Sequence, residues 1–239
     1  MKLNELRDVS FEIAKSKGWH DPKFPEPSFG DSMALVISEL AEALEEHRLG
    51  KPARNIEYVS DGKVVCAYAP RRGIPLPGFA SPSSSVTQRT AMSLVASGAK
   101  PCGVVIELVD ALIRIGHIAG RHAIDLETSG ESVPTWRSLQ RYPSCRESNV
   151  RDLVAPHESD PASFGSWICR ISWELACADG QDQRSNEPTN PQLHLMRAAV
   201  TICRFANWLG IPGEEFESAI EIKHAYNRTR EFRHGNKKL

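Results

Sequence analysis

No two of the six cysteines stand as a CxxC pair in this 239-residue chain, so the usual close-spaced signature of a zinc or dithiol site is missing. Nor does a secretory leader follow Met1, and no apolar run reaches the length a bilayer span needs. The expectation is a reduced, cytoplasmic protein without a membrane segment. An excess of charge of one sign is missing too. A formal net charge of −1 provides no global field for an anionic membrane or for nucleic acid, which is not expected as a partner. Sustained strand alternation is absent outside one hairpin. Several cysteines sit among apolar neighbours, as in "SWICRISWELACA" (166–178), where a free thiol is expected to act as a small core residue.

What remains is helix. An apolar content of 41% suffices for one core, and the chain reads as a single domain over 1–239. "LNELRDVSFEIAKSKG" (3–18) and "DSMALVISELAEALEEHRLG" (31–50) have helical periodicity, with Gly18 and Gly50 as stops and Asp31 or Ser32 as an N-cap. Residues 51–100 then change character. "IEYVSDGKVVCAY" predicts a β-hairpin about Asp61–Gly62, and "PRRGIPLPGFASPSSS" predicts a loop. A helix is expected over 103–120, and after a second low-order region from 128 to about 160 helices resume over 164–178, 192–209 and 213–230. The fold class is therefore all-α: a helix bundle with insertions at about 51–100 and 128–190.

"GVVIELVDALIRI" (103–115) raises the chemical question. Val105, Leu108, Val109, Leu112 and Gly116 share one face of this helix, while Glu107, Asp110 and Arg114 form a stripe at spacings of three and four. Ile106 and Ile113 flank the stripe. Carboxylates so placed must be protonated, paired or metal-bound. One answer is that Arg114 neutralises Asp110 one turn away. The helix at 31–50 suggests another. Beside its apolar face of Met33, Val36, Ile37, Leu40 and Leu44 runs a ridge of Glu39, Glu42 and Glu46. Two such helices packed 8–10 Å apart would aim Glu39, Glu42, Glu107 and Asp110 at one another. Four facing carboxylates call for a hard cation, Mg²⁺ first and Mn²⁺ second.

The third feature is "KHAYNRTREFRHGNKK" (223–238). Lys223, Arg230, Arg233, His234 and Lys237, interleaved with Tyr226 and Asn227, suit a phosphate chain. A solvated basic tail or a weak RNA contact is the plain alternative.

Together "SELAEALEEHRLG", "KPCGVVIELVDALIRI", "IDLE" and "KHAYNRTREFRHGNKK" resemble, in content and order, the MazG-like nucleotide pyrophosphohydrolases of the all-α NTP pyrophosphatase superfamily. "AKSKGWHD" (14–21) resembles the start of its phage and bacterial branch. The resemblance implies that Glu39, Glu42, Glu107 and Asp110 hold Mg²⁺ against a nucleoside triphosphate, which is split into monophosphate and pyrophosphate. It implies that Lys223, Tyr226, Asn227, Arg230, Arg233, His234 and Lys237 bind the substrate. Glu39 and Glu42 would take part in catalysis, with Glu46 or Glu45 as an outer carboxylate orienting water. A homo-oligomer, dimer or tetramer, is implied as well. Two departures stand out: the stretch between Glu42 and Glu107 is longer than the family's usual connector, and Thr128–Glu217 separates "IDLE" from the basic segment.

The function expected is a Mg²⁺-dependent hydrolase converting a (d)NTP to (d)NMP and pyrophosphate. The alternative is a non-catalytic helical protein that binds nucleotides or RNA. Of the single residues, His47 is expected in the core with Trp167 and Trp173, and His117 and His122 as cations at a helix C-terminus.

Overall fold

A computed structural model describes residues 1–68, 88–127, 161–180 and 190–233. Among them the chain forms α1 (Leu3–Ser16), α2 (Phe29–Arg48), β1 (Ile56–Ser60), β2 (Lys63–Tyr68), α3 (Gln88–Ala96), β3 (Lys100–Cys102), α4 (Val104–Arg121), α5 (Phe164–Ala178), α6 (Pro191–Trp208) and α7 (Gly213–Thr229).

The apolar residues of α4 decide the architecture. Thirteen of its eighteen residues are buried, and a helix hydrophobic nearly all round has to lie in the middle. Helices α1, α2, α6 and α7 all pack on it, while α5 pairs with α6 and lies across α2. On the α1 side the approach is close. A Cβ at Gly120 would come within 2.5 Å of Phe11 Cβ, so only glycine admits α1 at this crossing. Trp167 of α5 stacks on Phe205 of α6, with centroids 5.4 Å apart and planes 8° from parallel. That pair fills the second half of the core.

The N-terminus of α2 differs from the expectation. The cap is Ser28, whose hydroxyl accepts from the Asp31 amide, and Asp31 answers as the third helical residue. This capping box satisfies two otherwise free amides, and Asp31 lies inside the helix.

The hairpin about Asp61–Gly62 forms as expected, with a bulge between Tyr58 and Val59. A third, short strand was not legible. β3 pairs antiparallel with β1, giving the order β2-β1-β3, and it leads through Gly103 directly into α4. Gly103 has φ 123°, and a Cβ there would meet the Asn55 carbonyl oxygen at 2.5 Å. Gly103→Ala is expected to destabilise the fold by about 2 kcal/mol or more, measured by urea unfolding. A loss under about 0.5 kcal/mol would show that the junction relaxes freely.

Helix α3 is the other addition. Its Ala91 and Val95, with Ala99 beyond, are buried, and the helix packs on α7. The region at 51–100 is therefore partly core. Arg54 clamps it further through a two-pronged ion pair with the buried Glu215 at the start of α7. Exposure corrects three more expectations. Trp173 is 44% exposed; His47 is exposed and stacks on Phe164 at 4.2 Å; and Cys169 is exposed while Cys177 and Cys203 are buried. The expectations for residues 69–87, 128–160 and 181–189, including Cys145, lie outside the described residues. No helix among the described residues is long and apolar enough to cross a membrane.

Candidate functional site

Helix α2 lays Met33, Val36 and Leu40 on α4, and the residue before Leu40 turns in with it: Glu39 is 5% exposed. Three residues represent 300° of turn, so Glu42 rotates off the contact and is exposed. On α4, enclosed by its neighbours, Glu107 and Asp110 both stay inside. Glu39, Glu107 and Asp110 thus form the cluster, each offering a carboxylate oxygen within 4.8 Å of the others. Glu42 stands outside this set, near enough to push up the carboxyls of Glu39 and Glu107.

Two cations hold the cluster together. Lys223 of α7, only 2% exposed, places Nζ 2.8 Å from Asp110 Oδ2. Arg114 does not pair with Asp110 as the spacing had suggested. It crosses to α2, where its Nε and Nη2 both lie 2.6 Å from Glu39 Oε1. The long connectors therefore leave α4 and α7 in contact at the site.

Titration follows from this arrangement. Burial, with Lys223 only partly opposing it, pushes the Glu107 carboxyl up to about 8. Burial and the Asp110 charge raise Glu39, against the pull of Arg114. Burial would raise Asp110 as well, but Lys223 and Arg114 outweigh it and hold this carboxyl below the ordinary aspartate range. Lys223 is raised in turn, its desolvation outweighed by Asp110 and Glu107. One acid of three thus lacks a cation of its own and retains its proton at neutral pH. A donor set made only of carboxylate oxygens, drawn from two helices and short of one positive charge, fits a hard divalent ion such as Mg²⁺ or Mn²⁺.

Beside the cluster opens a cavity of about 260 Å³. Asp110 and Arg114 belong to both. Its other cationic groups are Lys17, Arg121 and Arg230, and its apolar wall includes Ile113 and Trp19. His20 and His117 also line it, with their Nε2 atoms 2.8 Å apart. Burial drives His117 down to about 3, and His122 is lowered by burial and by Arg121. Neither acts as the helix-end cation expected from the sequence.

The remaining basic-segment residues divide. Asn227 and Arg230 line the cavity. Tyr226 is half-buried against the core, with Lys223 and Arg230 over its ring at 5.7 and 5.8 Å. Arg233 is 5% exposed and lies over Phe24 and Trp19 at 4.2 and 5.2 Å, while its amide donates to the Lys17 carbonyl at 2.8 Å. It braces the 17–24 turn rather than the cavity. His234 and Lys237 fall outside the described residues. Glu46 sits 2.7 Å from Lys51, which also takes Glu57, and Glu45 pairs with Arg48 on the surface. Neither is a member of the cluster.

Comparison with protein-family models, with curated proteins and with solved structures finds no match to this chain.

Proposed function

We propose that the protein is a metal-dependent nucleoside triphosphate pyrophosphohydrolase, releasing a (d)NMP and pyrophosphate. One observation carries the reading: a buried three-carboxylate cluster built by α2 and α4 opens directly onto a cavity lined by Lys17, Arg114, Arg121 and Arg230. An acidic centre beside a cationic pocket suits a metal-bound polyphosphate, whose negative charge needs both kinds of partner. The motif resemblance supplies the reaction type.

In this reading Glu39, Glu107 and Asp110 hold Mg²⁺, which when bound would neutralise phosphate oxygens and acidify a water. Arg230 and Arg121 position the phosphate chain with forked donors. Asn227 adds a polar contact on the same wall, and Trp19 with Ile113 offers apolar surface to the base or sugar. Lys223 serves from beneath, keeping Asp110 ionised and in place. Glu42, exposed beside the cluster, is the carboxylate free to orient an attacking water, a role that Glu46 would take only on leaving Lys51. A homo-oligomer, dimer or tetramer, and a cytoplasmic setting belong to the same proposal.

The test is product analysis of NTPs and dNTPs incubated with the protein, with Mg²⁺ and with chelator. Metal-dependent release of pyrophosphate with the matching monophosphate is expected for at least one nucleotide. Binding without turnover of any nucleotide would replace this reading with that of a non-catalytic nucleotide- or RNA-binding protein.

A further inference from the structure

The acidic cluster and the cavity share one cation, and the two cations of the cluster are held very differently. Lys223 is 2% exposed and enclosed by α4 and α7. The Arg114 side chain is 33% exposed, lines the cavity and grips a single oxygen of Glu39, leaving Oε2 free of it. Only Arg114 has somewhere to go. Its guanidinium ends a long flexible arm rooted one turn beyond Asp110, and rotation of that arm sweeps from Glu39 into the space that Arg230 also faces.

Charge balance supplies the reason to move. With a divalent ion among Glu39, Glu107 and Asp110, the ion and Lys223 together already match the three carboxylates. Arg114 is then surplus, and it competes with the ion for Glu39. We infer that Arg114 is a transferable counter-ion: it pairs with Glu39 while the cluster lacks metal and turns into the cavity to grip a phosphate chain once a divalent ion binds. Metal binding and phosphate binding are thereby coupled, because each releases or captures the same guanidinium, and such coupling is reciprocal. The phosphate half of this inference rests on the pyrophosphohydrolase reading. The metal half does not.

The test is calorimetric titration of Mg²⁺, and of a triphosphate analogue with a methylene bridge between the α and β phosphates, into wild type and Arg114→Gln. Removing the competing guanidinium leaves Glu39 unpaired in the metal-free state, so Arg114→Gln is expected to bind Mg²⁺ about tenfold more tightly. The same variant is expected to bind the Mg²⁺-analogue pair at least about tenfold more weakly, with the coupling between metal and analogue lost. A purely structural arginine cannot produce those opposite signs. Mg²⁺ affinity that is unchanged or weakened in Arg114→Gln overturns the inference. Tighter Mg²⁺ binding in the variant, combined with no analogue binding by wild type, retains the counter-ion and overturns its phosphate role. Absence of NTP turnover by wild type in the product assay bears separately on the function. Should Arg114→Gln fail to fold, Arg114→Lys retains the charge without the fork, and the same opposite shifts are expected in smaller measure.

Discussion

Glu107→Gln is expected to lower metal-dependent hydrolysis by about 10³-fold or more, and to stabilise the metal-free protein at alkaline pH. Both effects come from one carboxyl. It sits where a metal would need its charge, yet in the metal-free fold burial raises it to about 8. A group whose folded value lies above its unfolded value adds stability at low pH. That contribution is lost as pH rises from the unfolded value of 4.5 through about 8. Glutamine has no proton to lose. In chelator, the stability difference between variant and wild type is therefore expected to grow by about 1.4 kcal/mol per pH unit across that window. Urea unfolding at pH 5, 7 and 9 reads it directly. Parallel curves would mean that Glu107 is already ionised in the fold, and full hydrolytic activity in the variant would remove Glu107 from the metal set.

Lys223→Met should be costly in a different way. The sequence placed Lys223 on the substrate, and a surface phosphate grip would raise KM with little effect on stability. The structure puts its ammonium 2.8 Å from Asp110, at 2% exposure. Breaking a buried ion pair leaves an uncompensated charge, and about 3–5 kcal/mol of stability is the expected loss. The double variant Asp110→Asn/Lys223→Met is expected to recover most of it. Millimolar Mg²⁺ should recover part of the single variant's loss, because the ion supplies the missing positive charge. A Lys223→Met protein as stable as wild type, with a raised KM alone, would return this lysine to the phosphate.

How much of the site was legible depended on whether one helix sufficed to define it. Spacing alone put Glu107, Asp110 and Arg114 on one stripe of α4, and the structure retains the stripe. Which partner each side chain takes was a different matter. Asp110 could be assigned to Arg114 from the sequence, since the two are one turn apart, but the choice between Arg114 and Lys223 depends on how α7 packs. Glu39 and Glu42 looked equivalent as an ExxE pair. Their 60° difference in facing, harmless on an isolated helix, separates a buried carboxylate from an exposed one once α2 lies against α4.

The helical class, the hairpin about Asp61–Gly62, the burial of α4 and the carboxylates that face α2 from it are legible without the fold, because they follow from local periodicity and side-chain chemistry. Long-range packing is what brings α3 into the core and β3 onto the edge of β1, pairs Arg114 across to Glu39 and sets Lys223 under Asp110. It also decided that Arg233 lies against Phe24 and Trp19. Each of these is a contact between segments far apart in the chain, and no short-range pattern fixes where two distant segments meet.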